Sequence, residues 1–468
     1  MGRKKPLPLL RGVAIIDIGS EGNAIAKVDD MVLFVPGMIP GDVVDVRVTK
    51  KKKRYMEGVA IAVVSPSPDR VMPRCRHFGI CGGCRWQHLP YEKQLFYKEK
   101  QVKDNLTRIS HAAIPDVSPI LGSENDYLYR NKLEFTFSDK RWMTHEEVKE
   151  GKEITSVPAI GFHVPGVYDK VIDIYECHLL PEPSDSIRNE VRNYALEKGL
   201  SFYNRRDHEG FLRNMIVRIT TSGEVMVILI IAEERKEERD KLLDHISVMF
   251  PQVTSLWYIL NTKQNDSLSD QEPVHYLGSR FITEEMDGLR FRVGPNSFYQ
   301  TNSRQASRLY GVVRDFARLT GVENVYDLYT GTGTIACYLS SGASAVTGIE
   351  YIREAVADAA VNATTNNISN TVFMAGDMKD MLNEKLFAER GRPDVIITDP
   401  PRAGMHADVV AALLKSGADR IVYVSCNPAT QARDIGLLSS GYIVTGVQPV
   451  DMFPQTYHVE NVVLMEKR

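Results

Sequence analysis

The chain lacks several features, and each absence excludes a class of protein. None of its 468 residues falls in an apolar run near the ~20 residues that a membrane helix needs. The start, MGRKKPLPLLRG, is basic but has no apolar stretch long enough for a signal peptide. A cytosolic location without membrane contact is therefore expected. Cysteine is scarce, six in all. Disulfides are rare in the cytosol, so any cysteine cluster there points to metal or catalysis. Internal repeats and low-complexity tracts are absent. So is a complete G-x-G-x-x-G, which disfavours a pyrophosphate cofactor.

The net charge is only −3, but it is unevenly spread. Residues 1–110 hold 20 Lys and Arg against 11 Asp and Glu, and the remainder holds 37 against 49. A basic front on an acidic rear suits a polyanionic partner, although a solvated charged surface would read the same way.

Residues 8–65 read as five short strands, at 13–18, 24–28, 32–35, 43–49 and 57–64, punctuated by glycine and Pro-Gly turns. That spacing suggests a small barrel of the OB type. The run KKKKR at 50–54 would sit on a hairpin tip, free to reach phosphates. A linker-like SPSPDRVMPR follows, then CRHFGICGGCRWQH, which crowds Cys75, Cys81 and Cys84 into ten residues. Residues 91–109 have helical spacing with many lysines. Residues 126–292 alternate strand-like segments, an α+β region with antiparallel strands. From 293 onward strands and helices alternate, as in an α/β Rossmann-like domain with a parallel sheet.

Ligands of such sheets bind at the carboxyl ends of the strands. The first strand ends in DLYTGTGTIA, where Gly331 and Gly333 allow a tight turn before a helix. The second ends at Glu350, placed to hold ribose hydroxyls, and the third at Asp377, near an adenine. Each acid alone could equally cap a helix. Together they outline a nucleoside cofactor without phosphate, which S-adenosylmethionine fits. The fourth strand ends in TDPPRAG. Many amino-group methyltransferases carry an aromatic where this chain has Arg402, so a flat exocyclic amine is disfavoured as target. The fifth ends in VSCNPAT, with Cys426 where strand becomes loop, and Glu460 in HVENV begins the last. A free cysteine is commonly just a small buried hydrophobe, and a lone glutamate a surface residue. One reaction needs both. Pyrimidine C5 becomes nucleophilic only when a thiolate adds to C6, and a carboxylate must later remove the C5 proton. A base inside folded RNA would have to be flipped out.

These segments, with CRHFGICGGCRWQHLPYEKQ, PNSFYQTN and QTYHVENV, resemble the RNA uracil-5-methyltransferases, in the branch with an N-terminal TRAM domain and an iron–sulfur cluster. The resemblance covers nearly the whole chain. It implies Cys426 as nucleophile and Glu460 as base. Gln300, Tyr329 and Thr334 would line the S-adenosylmethionine site, and Glu350, Asp377 and Asp399 would contact the cofactor or the reacting base. It also implies a [4Fe–4S] cluster on Cys75, Cys81, Cys84 and Cys177, read as a structural brace; spacing alone accepts zinc equally well. Cys337 is left for the core. The radical pattern C-x3-C-x2-C is not matched. Three domains are expected: a TRAM barrel at 1–66, a central α+β domain at 67–292 and the methyltransferase domain at 293–468, with a helix at 91–117 packed on the last. Aromatic and basic residues in YLYRNKLEF (127–135) could touch RNA or simply pack. The expected substrate is a uridine of ribosomal RNA, 23S type, with transfer RNA as alternative; the expected state is a monomer. A cytosine-5-methyltransferase would need Pro-Cys where Pro401-Arg402 stands, and an RNA-binding assembly factor would not need the Cys426–Glu460 pair.

Overall fold

The protein is described here from a computed structural model covering residues 7–143, 145–150, 157–268 and 270–468; the basic start at 1–6 lies outside the described residues. The first sheet has six strands in the order Leu9–Ala14, Val43–Lys51, Tyr55–Ser65, Met31–Val35, Ala24–Val28, Asp17–Ile18. Its alternating valines, leucines and alanines turn inward to a small core of their own around Val13, Ala26, Leu33, Val44 and Val46. Residues 52–54 form an exposed turn between two of its strands.

The second sheet orders its strands Val274–Gly278, Val253–Leu260, Val225–Ile231, Leu212–Ile219, Lys132–Ser138, Ala159–His163, Val171–Asp173. Pairing is antiparallel except between Val225–Ile231 and Val253–Leu260, which run parallel. The departure from the all-antiparallel expectation has a simple cause: the helix Lys236–Met249 crosses between them, and a crossover returns the chain in the same direction. Val225–Ile231 reads VMVILII because both its faces are buried. Val227 and Leu229 face a core covered by the helices Ser184–Glu197 and Lys236–Met249, while Met226 and Ile228 join the core of the catalytic domain.

The third sheet has seven strands. In chain order they are Asn324–Leu328, Ala345–Glu350, Thr371–Ala375, Val395–Thr398, Arg420–Ser425, Tyr442–Val450 and Glu460–Lys467; in space the order is third, second, first, fourth, fifth, seventh, sixth. The first five are parallel and the seventh is antiparallel to the fifth. The order reverses between the first and fourth strands, the switch point at which doubly wound sheets bind ligands.

The helix Tyr91–Ile109 buries Gln94, Lys98, Val102 and Leu106, every fourth residue, and packs on Pro428–Leu438 behind the fifth strand. It stops at Ile109 and does not run to 117. Ser110 Oγ bonds the Leu106 carbonyl at 2.6 Å, His111 is left-handed with φ 54°, and Pro115 cannot continue a helix. Gly436 lets the two segments meet, since a Cβ there would lie 2.7 Å from the Ser110 carbonyl. Among the described residues, no helix is long and apolar enough to cross a membrane.

Candidate active site

The carboxyl edge of the third sheet is built from turns that side chains would block. After Leu328 the backbone passes through left-handed conformations at Tyr329 (φ 62°), Gly331 (φ 55°) and Gly333 (φ 75°). A Cβ on Gly333 would sit 2.8 Å from Ala359 Cβ and 3.0 Å from the Phe373 ring. The helix Thr334–Leu339 starts at once, with Thr334 buried beside Thr332. Glu350 accepts from the Gly331 N–H at 3.1 Å and the Ile352 N–H at 2.9 Å, so it is held at the rim of the glycine turn. Asp377 caps the next helix, accepting from the Lys379 N–H at 3.2 Å, and is 41% exposed. The Gln300 backbone carbonyl accepts from Asn131 Nδ2 at 2.8 Å, and its side chain lies toward the buried Tyr310. These residues line one edge, and Asp327 joins them. It is buried, accepts from the Thr330 hydroxyl, and is pushed up to about 7 by burial.

Cys426 follows the fifth strand, where Asn427 caps the helix Pro428–Leu438. Asn427 Nδ2 and Thr430 Oγ1 donate to the Arg402 carbonyl at 3.0 and 3.2 Å, binding the TDPPRAG turn to the cysteine turn. The Arg402 guanidinium faces the Cys426 thiol, favouring its ionised form, and donates to His458 Nδ1 at 2.9 Å. Glu460 reaches the same edge because its strand runs backwards: its first residues pair with the last of the fifth strand, Asn461 opposite Ser425. Burial pushes Glu460 up to about 8, with the Asp399 charge adding and Arg402 opposing. Burial likewise raises Cys426 to about 11, Glu460 adding and Arg402 opposing. Asp399 is raised to about 7 by burial and by Asp327. His458 is lowered to about 4 by burial and Arg402, so it is neutral near pH 7. Two carboxyl groups, a thiol and one guanidinium thus share a poorly solvated site. Arg402 and His458 were not readable as partners from the sequence, because 56 residues separate them.

The loop before Glu460 is anchored from below. Lys98, wholly buried, donates to Asp451 at 2.6 Å and to the Phe453 carbonyl at 3.0 Å, and the Tyr91 hydroxyl donates to Asp451 at 2.9 Å. Gln94 and Gln455 exchange hydrogen bonds at 2.9 and 3.0 Å. The Gln455 carbonyl accepts from the Arg85 and Trp86 N–H groups at 2.8 and 3.0 Å. The cysteine loop therefore abuts the loop that carries Glu460.

Cys75, Cys81, Cys84 and Cys177 line one cavity, together with His77, Arg130 and His178. All four are free thiols, raised by burial, Cys81 and Cys177 to about 12. Arg130 Nε is buried there without a hydrogen-bond partner. Among the described residues, no three His, Cys, Asp or Glu side chains are placed to share a single ion. Cys337 lies in the core. In YLYRNKLEF, the Tyr129 hydroxyl donates to the Pro454 carbonyl at 3.0 Å and Arg130 stacks on Tyr129 and Phe453, which are packing roles.

Comparison with known proteins agrees with this geometry. The profile of the tRNA (Uracil-5-)-methyltransferase family matches residues 219–468, and that of the TRAM domain matches 11–61. An uncharacterized RNA methyltransferase of Bacteroides thetaiotaomicron is 56% identical over 96% of this chain and all of its own length. One of Porphyromonas gingivalis is 52% identical over 96% of this chain and 98% of its own. The crystal structure of Pyrococcus abyssi tRNA (uracil-54, C5)-methyltransferase in complex with S-adenosyl-L-homocysteine superposes with a TM-score of 0.75 at 29% identity, covering 97% of this chain and 100% of that one. The chain belongs to the tRNA (uracil-5-)-methyltransferase family, as an S-adenosylmethionine-dependent RNA uracil-5-methyltransferase with a TRAM domain.

Proposed function

We propose that the protein methylates C5 of a uridine in structured RNA with Cys426 as nucleophile and Glu460 as base. The observation that carries this is the convergence of a thiol, a buried carboxyl group and a guanidinium at the edge of the glycine turn. S-adenosylmethionine, when bound, supplies an electrophilic methyl group. The residues suited to hold it are Gln300, Tyr329, Thr334 and Glu350 around that turn; Asp377 is spent largely on its helix cap, leaving it a lesser part. Arg402 favours the Cys426 thiolate, which burial otherwise opposes. The thiolate adds to C6 and the electron pair moves to O4. Asp399, which keeps its proton to about pH 7, is a donor for that oxygen. With S-adenosylmethionine bound, C5 would take its methyl group as the methyl–sulfur bond breaks, leaving S-adenosylhomocysteine. Glu460 in its ionised form, a fraction that grows as pH rises toward 8, takes the C5 proton, the C5–C6 double bond reforms and the C6–S bond breaks, returning the thiolate.

The four-cysteine cavity suits a [4Fe–4S] cluster better than zinc. A cubane takes each thiolate on a separate iron, whereas zinc needs all four sulfurs ~2.3 Å from one point. The unpaired Arg130 Nε is a donor for an anionic cluster. Its place beside the Gln455 loop fits a brace.

Ribosomal RNA is the substrate that the sequence reading favours. The Pyrococcus abyssi enzyme, named for a transfer RNA uridine, matches 97% of this chain, so the front barrel does not discriminate between the two, and transfer RNA stands as the second reading. The test is tritium release from unmodified 23S and transfer RNA transcripts labelled at uracil C5. Release that needs both cofactor and Cys426 supports the mechanism, and the RNA that releases names the substrate. Release by Cys426→Ala at the wild-type rate would refute it.

A further inference from the structure

Lys132 and Arg218 sit opposite each other on the strands Lys132–Ser138 and Leu212–Ile219. Cross-strand partners share a face. Leu133, Phe135, Met215 and Val217 point into the helix-covered core, so Lys132 and Arg218 point the other way, where Ile216 joins the catalytic core. Arg218 is 6% exposed. Its Nη2 donates to the Ser297 carbonyl at 2.8 Å, and its Nε is buried without a partner. Among the described residues neither cation has an ion-pair partner; the acid felt by Lys132 is Glu134, which is exposed. Burial lowers Arg218 to about 10 and lowers Lys132, which Arg218 depresses further. Two partly desolvated cations side by side are costly unless an anion completes them.

The pair borders the loop that carries Gln300. Arg218 holds Ser297, the Asn131 N–H donates to the Thr301 carbonyl at 2.8 Å, and Thr332 of the glycine turn reaches the Phe298 carbonyl at 3.4 Å. Two anions could come here. The amino-acid end of S-adenosylmethionine pairs its carboxylate with an ammonium and has a sulfonium nearby, so it brings no net negative charge to the two cations. A phosphodiester brings one negative charge and no cation.

We propose that Lys132, backed by Arg218, binds a backbone phosphate of the RNA next to the target uridine. The assignment rests on the RNA substrate proposed above. It is tested on the full-length protein with Lys132→Gln and Lys132→Arg, using the two unmodified transcripts, by filter binding across a salt series. S-adenosylhomocysteine binding is measured in parallel and reports folding. Losing one phosphate contact flattens the slope of log affinity against log salt by about 0.7 and weakens binding about fourfold at ~0.15 M salt. Lys132→Gln should show both changes with S-adenosylhomocysteine binding intact, and Lys132→Arg should restore both. An unchanged slope and affinity in Lys132→Gln would overturn the proposal, as would a loss confined to S-adenosylhomocysteine, which would put the cofactor carboxylate there. If the wild type bound neither transcript and released no tritium, the substrate reading would fail and take this site with it. Release by the wild type with an unchanged slope in the variant would sink the phosphate site alone.

Discussion

Replacing Glu460 by Gln should destroy turnover yet make the protein more stable, by an amount that grows with pH. Glu460 is 5% exposed and raised from 4.5 to about 8, chiefly by burial. In the unfolded chain it ionises near 4.5; in the folded chain it keeps its proton to about 8. Between those values the folded state binds more protons, so stability contributed by this group falls as pH rises and is retained only below the window. At 1.36 kcal/mol per unit, the cost is ~1 kcal/mol at pH 5, ~3 at pH 7 and ~4 at pH 8. Gln keeps the shape and removes the charge. It also removes the repulsion between Glu460 and Asp399. On a domain of ~170 residues, 3 kcal/mol corresponds to about 6–12 °C in melting temperature. Thermal melts of wild type and Glu460→Gln at pH 5, 7 and 8 should therefore diverge steadily. A difference that does not change with pH, or a variant that melts lower at pH 8, would refute the buried, proton-holding carboxyl group. The result would also explain why such a residue persists: the strain of a desolvated base is kept for chemistry.

Four other outcomes are expected. Glu460→Gln, given cofactor and substrate RNA, should accumulate a methylated RNA–protein adduct that survives a denaturing gel, because the thiolate cannot leave until C5 loses its proton. Lys98→Met should cost about 3–5 kcal/mol in urea unfolding, since it strands Asp451 in the interior, and adding Asp451→Asn should recover much of that. Gly333→Ala should weaken S-adenosylhomocysteine binding about tenfold in calorimetry, from the strain of a left-handed residue whose Cβ meets Ala359. Anaerobically purified protein should hold about four irons per chain, and Cys177→Ser should lower that and the visible absorbance; one zinc and no iron would replace the cluster with a tetrahedral site.

Legibility varied along the chain for identifiable reasons. The barrel strands announced themselves through alternation and glycine turns, and the catalytic strands through apolar runs ending in Asp, Glu or Cys. Tyr442–Val450 did not stand out as a strand, because Gly446 and Pro449 interrupt it; the register shifts between Val444 and Gly446. The end of the helix at Ile109 was blurred by five more residues without an obvious stop before Pro115. Asp377 read as a cofactor contact, and the fold adds that one of its oxygens also caps the next helix, a common use of an acid at that position.

By itself, then, the amino-acid sequence determined which elements form and which reactive groups end them, since periodicity and turn chemistry are local. It carried Cys426 and Glu460 as candidates because methylation at a pyrimidine C5 uses both a thiolate and a base. The tertiary structure decided what those groups are. A backward-running final strand brings Glu460 to the edge that holds Cys426. The interior then raises the carboxyl and the thiol together and sets Arg402 against both. It gathers Cys177 with three cysteines about a hundred residues earlier. It leaves Lys132 and Arg218 side by side with no ion-pair partner among the described residues. Proton affinity and charge balance depend on burial and on neighbours distant in the chain, and these exist only once the chain has folded.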